Sequence, residues 1–492
     1  MNYTAAFDLG TTALKGVLVS DTKKLAFAHS LPLETLSSGE HIEQDPKEWY
    51  KVFCNLSALM VKEISTEKIR GIVMSGQMQD LIPLDETGEA LGNAVLYSDG
   101  RAGEESAYIN SLIGEDNIRQ ITGNAMDASI PAAKLLWLRN HEKERYKRIN
   151  CVLGSSKDYI IKKLCGKSIG DHTAASTFGL MDIHTKQWDK NLLISLSIPE
   201  EIMPELLSCT DRCGEVSRTA SAQTGFREGT LIYTGSGDAG ASTLSAKLTG
   251  TGEYNIYLGT SGWIAAVSGD TITCPGVFNL AAIPKNLYIN VVPFLNAGGV
   301  HKWISDLLWI DKLDQAKYDY IDSLLEQSKT GSEGLLFLPY LSGERFPVMD
   351  TRIRGAFIGL NNETTNAQML RSCLEGVAFS IRQGFEAMSS EKPKKISLVG
   401  GGAKTNVWRQ IMADVLGTPI TVLANSSEYL PSIALSSVVF IDQGLEKSYN
   451  SFLASLPATD EFIYDPSPSS QQLMNEQYCR YLKVYPAIKE LF

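Results

Sequence analysis

The sequence predicts an α/β fold built as two similar halves, and three observations carry that expectation. Leu9-Gly10-Thr11-Thr12 recurs as Leu258-Gly259-Thr260-Ser261, 249 residues later and about half the chain away. Both copies lie between strand-like runs, so what recurs is a strand–turn–strand unit. Around and between the copies, strand-like and helix-like segments alternate, the pattern of helices packed on sheets. The length of 492 residues accommodates two large domains. The boundary is placed near residue 245, giving an N-terminal half (1–245) and a C-terminal half (246–492).

In order, residues 3–7 read as a strand, 8–12 as a turn and 15–19 as a second strand. Residues 69–74 are a strand ending at Ser75-Gly76. Residues 131–141 are a helix with Leu135, Trp137 and Leu138 on or near one apolar face. Residues 230–233 are a strand running into Gly235-Ser236-Gly237-Asp238, followed by a helix over 241–247. In the second half, 253–258 and 263–267 are strands around the second turn, and 335–340 is a strand. Residues 366–389 are a long helix. Residues 395–399 are a strand entering Gly400-Gly401-Gly402, and 406–416 a helix with Ile411, Val415 and Leu416 inward.

Composition narrows the function. Hydrophobic residues are 43% and charged residues 21%, an ordinary globular balance. The net charge is −11, and no run of like charges reaches five. An acidic chain without a basic stripe is not built for nucleic acid or an anionic membrane. No window of 18 apolar residues predicts a transmembrane helix, and the N-terminus lacks the pattern of a signal peptide. Eight scattered cysteines without C-x-x-C read as free thiols in a reducing cytoplasm. Cys209 and Cys213 lack the second pair a zinc site needs, and no H-E-x-x-H occurs. Small molecules are the expected partners, and a homodimer is an open expectation.

The chemistry gathers at predicted strand ends. Gly10-Thr11-Thr12 and Gly259-Thr260-Ser261 offer close backbone approach, turn amides and hydroxyls. Together they suit one polyphosphate gripped across a cleft, with Lys15 beside the first turn; the alternative is two ordinary hairpin turns. Asp8 enters the first turn. A carboxylate beside phosphates needs a cation, so Asp8 reads as a Mg²⁺ ligand, directly or through water, or else as a turn cap. Gly235 to Gly240 matches G-x-G-x-x-G, but Asp238 inside it opposes a pyrophosphate. The same placement suits a general base for a substrate hydroxyl, the alternative being a helix cap. Gly400-Gly401-Gly402 leaves room for a flat ring or a phosphate, and no Walker A loop occurs in the chain. Ser75-Gly76-Gln77-Met78-Gln79-Asp80 could hydrogen-bond a polyol or cap a loop. Asp99 and Arg101 read as a further polar pair or as a surface salt bridge.

In this order and spacing, FDLGTTALKGVL, SGQM, SDGR, IPAAKLLWL, GSGDAG, LGTSG, FLPYLSGER, GLNNET with LEGVAFSIRQG, and GGGAKTNVWRQIMADVLGTPI resemble the FGGY family of carbohydrate kinases. Within it the chain is most similar to xylulokinases, from residue 7 to about 420. The resemblance implies two actin-like, ribonuclease-H-like domains flanking a central cleft. It implies ATP, Mg²⁺ and phosphorylation of a sugar hydroxyl, with D-xylulose the first expectation. It makes Asp238 the catalytic base, lines the adenosine pocket with Gly400, Gly401, Gly402 and Asn406, and puts Met78 and Gln79 against the sugar.

The chain also departs from that pattern. Gln79 stands where xylulokinases commonly have His, and Asp80 where a small residue is usual. The W-N-D-x-R pattern reads Tyr97-Ser98-Asp99-Gly100-Arg101, and the usual glycine of a nucleotide-side helix is Ala434. The sugar-side changes leave another ketopentose or polyol open as substrate. A non-catalytic sugar or nucleotide sensor, and a dinucleotide oxidoreductase using Gly235 to Gly240, are the alternatives of other classes. Asp8, Asp238 and the paired turns speak against both.

Overall fold

The computed structural model describes residues 1–309, 314–389, 392–423, 428–456 and 461–492. The first half builds a seven-stranded mixed sheet. Its strands are β1 (Tyr3–Leu9), β2 (Ala13–Ser20), β3 (Leu25–Pro32), β4 (Ile69–Gly76), β5 (Arg212–Glu215), β6 (Leu231–Tyr233) and β7 (Ser236–Gly237). The order is β5-β6-β4-β1-β2-β3, with β7 on the end of β4. β1, β2 and β3 form an antiparallel meander; β4 runs parallel to β1, and β6 parallel to β4. Side chains alternate across β1. Phe7 joins Trp49, Phe53 and Leu56 on one face, and Ala6 joins Val17 and Val73 on the other.

Helix α1 (Pro46–Glu63) starts where the Asp45 carboxylate accepts from the Lys47 N–H and Pro46 presets the first turn. It lays Trp49, Phe53, Leu56 and Met60 on the Phe7 face. α2 (Pro131–His141) coincides with its predicted span, with Leu135 and Leu138 fully buried. Trp137 is half-buried, with the Arg101 guanidinium 4.9 Å over its ring. α3 (Ser156–Cys165) packs beside α1. α4 (Asp238–Ser245) begins three residues earlier than its predicted start. Gly237 occupies the cap position and the chain enters the helix at once, so Asp238 is a helical residue rather than a turn residue.

The second half repeats the plan with β8 (Glu253–Leu258), β9 (Gly262–Ser268), β10 (Phe278–Ala281), β11 (Tyr288–Phe294), β12 (Lys395–Val399), β13 (Ile420–Leu423) and β14 (Glu461–Tyr464). Their order is β10-β11-β9-β8-β12-β13-β14. An antiparallel β8–β9–β11 set is followed by parallel β12 and β13 and an antiparallel edge strand, as in the first sheet. The strand predicted over 335–340 shortens to Leu336–Leu338 and pairs only with Ala356–Ile358, outside both large sheets. Pro339, without an N–H, ends it.

Helices α5 (Gly298–Leu308), α6 (Asn366–Met388) and α7 (Asn406–Leu416) cover one face of this sheet, meeting Ile256, Leu258 and Ile264. α6 opens on a capping box between Thr365 and Gln368. The chain then returns to the first lobe. α8 (Leu430–Leu435), α9 (Ser437–Asp442) and α10 (Tyr449–Ala454) cover the Ala6 face of the first sheet. Ala434 is fully buried there against those strands. The opposite face of the second sheet looks across at the first lobe, and Ala265, Leu280 and Ile289 pack with Met78 and Ala174. Among the described residues no helix is long and apolar enough to cross a membrane.

Candidate active site

Strand register assembles the first wall of the site. β1 pairs Asp8 with Ser75 on β4, and β4 pairs Gly76 with Gly237 on β7. The ends of β1, β4 and β7 therefore bring Asp8, Ser75 and Asp238 to one edge of the sheet. The Ser75 hydroxyl donates to Asp8 Oδ1 at 2.8 Å. Gly237 carries no side chain because a Cβ there would collide with the Met78 side chain. Asp238 is half-buried and is the first helical residue of α4, with Gly237 in the cap position, so it is not the N-cap residue. Burial, then the Asp8 carboxylate, then that of Asp171 push the Asp238 carboxyl up to about 7.

The two Gly-Thr turns are braced differently. In the first, the Thr11 hydroxyl donates to Gln77 Oε1 at 2.8 Å, and Gln44 Nε2 donates to the Thr11 carbonyl at 2.6 Å. In the second, the N–H groups of Gly298 and Gly299 at the start of α5 bond the carbonyls of Gly259 and Thr260. Thr12, Thr260 and Ser261 are exposed, with Gly10 and Gly259 part-exposed beside them. A cavity of about 640 Å³ between the lobes is lined by Asp238, Lys15, Tyr257, Trp263, Gly400 and Glu428, among others. Lys15 Nζ lies 3.7 Å from Glu428. Tyr257 and Trp263 stack at 4.1 Å.

A second cavity of about 550 Å³ lies behind the second turn, lined by Gly259, Thr260, His301, Tyr318, Gly401 and Gly402 with their neighbours. Gly400 has φ +103°, and a Cβ there would stand 2.5 Å from the Leu258 carbonyl, so only glycine fits. Gly401 has open space around it. Asn406, one residue past Thr405 of the lining, is exposed and accepts from Arg409 and Tyr464. Burial pushes His301 down to about 4, so it meets a ligand as a neutral imidazole.

The sugar-side residues separate in space. Gln77 is buried, with its amide divided between Thr11 and Gln44. It braces the first turn. Asp99 and Arg101 form a buried ion pair rather than a surface salt bridge. Arg101 makes a paired contact with Asp99 at 2.7–2.8 Å, reaches Glu43 at 2.6 Å, and both side chains are buried. Met78 is buried against the second sheet. Of Ser75 to Leu84, only Gln79 reaches solvent, and its backbone is left-handed at φ +60°. Exposed Tyr97 stands two residues before Asp99.

The sequence reading named Asp80 but not its burial, and it missed the buried lysines Lys134 and Lys157. Asp80 is fully buried, and neither oxygen has a hydrogen-bond partner of good geometry. Lys134 of α2 is equally buried and donates to the carbonyls of Gln79 (2.9 Å) and Leu96 (2.6 Å). Lys157 of α3 lies between Asp158 (2.5 Å) and Asp171 (2.9 Å), all buried. The available signal was a lone lysine inside an apolar helical run, as in Ala132-Ala133-Lys134-Leu135-Leu136.

Comparison with known proteins agrees with this architecture. Residues 3–245 match the N-terminal domain of the FGGY family of carbohydrate kinases, and residues 254–430 match its C-terminal domain. The chain is 28% identical to the xylulose kinase of Staphylococcus xylosus, over 99% of this chain and 100% of that one. The ligand-bound xylulose kinase structure from Lactobacillus acidophilus superposes with a TM-score of 0.89 at 27% identity, covering 99% of both chains. The gluconokinase of Bacillus subtilis is also 28% identical, over 86% of this chain and 84% of its own.

Proposed function

Because the chain belongs to the FGGY family of carbohydrate kinases and is a sugar kinase, we propose that it transfers the γ-phosphoryl group of ATP to a hydroxyl of D-xylulose, with Asp238 as general base. The observation that carries the reading is Asp238 itself. It begins α4 at the end of the first sheet, lines the cavity between the lobes, and has its carboxyl pushed up to about 7. A base poised near neutral pH accepts the hydroxyl proton as the oxygen attacks phosphorus, a contribution of roughly 10²–10⁴-fold. The transition state is loose, so positioning supplies most of the remaining acceleration.

In this reading the exposed hydroxyls of Thr12, Thr260 and Ser261 and the amides of both turns hold the phosphates, with Lys15 alongside. Gly401 and Gly402 leave the cavity behind the second turn open to the adenosine. Gln79, and Tyr97 beside it, meet the sugar. The donor set at the strand ends suits Mg²⁺: hard carboxylate oxygens from Asp8, and no cluster of three or more ligands among the described residues. Such a site leaves the remaining positions to phosphate oxygens and water. When bound, Mg²⁺ neutralises charge on the β- and γ-phosphates. Closure of the lobes would exclude water from the transfer.

The test is ADP release in a coupled assay with Mg-ATP and a panel of D-xylulose, other ketopentoses, polyols and D-gluconate. Asp238→Asn is the control. Fast turnover on D-xylulose, at least about a hundredfold lower in the variant, supports the whole reading. Turnover on another member keeps the base and moves the substrate. Near-normal turnover by Asp238→Asn removes the base.

A further inference from the structure

Asp171 ends its short strand with no exposed atom, and its two oxygens have separate tasks. Oδ2 stands 2.9 Å from Lys157 Nζ. Oδ1 accepts from the N–H groups of Thr173 (2.9 Å) and Ala174 (3.0 Å), and from that of Gly237 at 3.3 Å. Gly237 is the cap of α4, one residue before Asp238. The Cys209 thiol lies 3.5 Å from the same oxygen.

Lys157 sits in the first turn of α3, directly under the strand ends that carry the site. A Cβ on Gly76 would stand 2.8 Å from the Lys157 backbone nitrogen, and Ser156 donates its hydroxyl to the Leu9 carbonyl at 2.9 Å. The ends of β1, β4 and β7 therefore rest on one helical turn holding one ammonium. That ammonium faces the two carboxylates of one buried cluster. Asp171 is its ionised member: the Lys157 charge and the backbone N–H donors hold its carboxyl below the usual range, while burial pushes Asp158 up to about 6. Three backbone N–H groups hold Oδ1, and the Lys157 charge faces Oδ2 without a hydrogen bond of good geometry; a buried charge held this way moves little.

We propose that Asp171, clamped by Lys157, is a positioning residue that fixes the Gly237 N–H and through it the place of the Asp238 carboxylate. This rests on Asp238 being the base. Positional error near the reacting atoms is costly, since about 1 Å can lose on the order of 10²-fold in rate.

The experiment compares wild type, Asp171→Asn, Asp238→Asn and the double variant in the sugar assay, with amide hydrogen exchange of the segment 234–241 as an activity-independent readout. Asp171→Asn keeps the size and one acceptor but loses the ion pair. It should lower kcat at least about tenfold, leave KM for ATP and sugar within about twofold, and speed exchange of that segment. In the Asp238→Asn background it should cost almost nothing more, because it acts through that side chain. If Asp171→Asn does not fold, Lys157→Arg, which keeps the charge but displaces it, carries the same expectations. Equal rate losses in both backgrounds, raised KM for both substrates, or unchanged exchange at 234–241 would overturn the positioning role. If Asp238→Asn alone turns over normally, the base assignment fails with it; if that variant is inactive and the losses add, only the positioning role fails.

Discussion

Thr11 and Gln77 are joined across the first sheet: the threonine hydroxyl donates to the glutamine carbonyl oxygen at 2.8 Å. Gln77 in turn donates to Gln44, whose carbonyl oxygen also receives the Trp49 indole N–H. The first Gly-Thr turn is thus held in shape from the neighbouring strand and from α1. Gln77→Ala strands these partners inside the protein, where an unsatisfied polar group costs about 1–3 kcal/mol. The expected result is a severalfold rise in KM for ATP with KM for the sugar nearly unchanged, measured by initial rates. A rise confined to the sugar would mean that Gln77 faces the acceptor after all.

Asp238 sets a pH dependence whose sign is fixed. Its carboxyl is pushed up to about 7 by burial first, then by Asp8 and Asp171. Asp80 also faces it, and Lys15 and Glu428 line the same cavity. An unfolded aspartate titrates near ~3.9. Between the two values the folded protein binds the extra proton, so stability falls as pH rises through that window to about 7. Asp238→Asn removes the buried charge. Its gain in Tm over wild type should therefore be larger at pH 8 than at pH 5, in nucleotide-free protein. Activity moves the opposite way, because the base works only when ionised: kcat/KM should fall below pH about 7. Equal Tm differences at the two pH values would mean that Asp238 titrates as an ordinary carboxylate.

The repeat of strand, Gly-Thr turn and strand was legible because it is local: three turn residues between β-rich runs fix a hairpin wherever they occur. Asp238 was legible for a similar reason, being an acid where a phosphate loop would exclude one. The buried partners of Gln77, Asp99 and Arg101 were not. The types and strand-end positions of these three residues fit a ligand contact, but burial decides what a polar side chain meets, and burial depends on Gln44, Glu43 and Trp137, distant in sequence. The return of α8 to α10 onto the first sheet was hidden for the same reason. Nothing in Ala434 or Val438 announces that Ala6 and Val73 are their neighbours.

Asp80 and Lys134 are expected to respond unequally to removal. Burial holds the Asp80 carboxyl well above the carboxylate range, and no hydrogen bond of good geometry opposes that. Burial also lowers Lys134 to about 8, yet its ammonium serves two carbonyls, one of them on left-handed Gln79. Lys134→Met leaves two buried carbonyls without their donor, a loss of about 1–3 kcal/mol each. It also frees the Gln79 backbone, so KM for the sugar should rise. Asp80→Asn replaces a carboxyl whose protonated form burial favours with an uncharged amide of the same shape and should be close to neutral in urea unfolding. A cost for Asp80→Asn as large as for Lys134→Met would instead mark an ionised, tightly coupled pair.

Lys15 and Glu428 face each other at 3.7 Å along the cavity that Asp238 lines. Glu428 is 58% exposed, so the pair contributes little to stability, and Glu428→Gln should leave Tm almost unchanged. Its consequence lies in binding. A phosphate arriving beside the first turn competes with Glu428 for the same ammonium. Removing the carboxylate should lower KM for ATP, by less than about threefold, and the gain should shrink at high salt because the charges are partly exposed. Lys15→Met removes the ammonium itself and should raise KM for ATP by about tenfold, the worth of one charge-assisted hydrogen bond. Initial rates at varied ATP and two salt concentrations separate the cases. A higher KM for ATP in Glu428→Gln would mean that the carboxylate holds Lys15 in its binding position instead of competing for it.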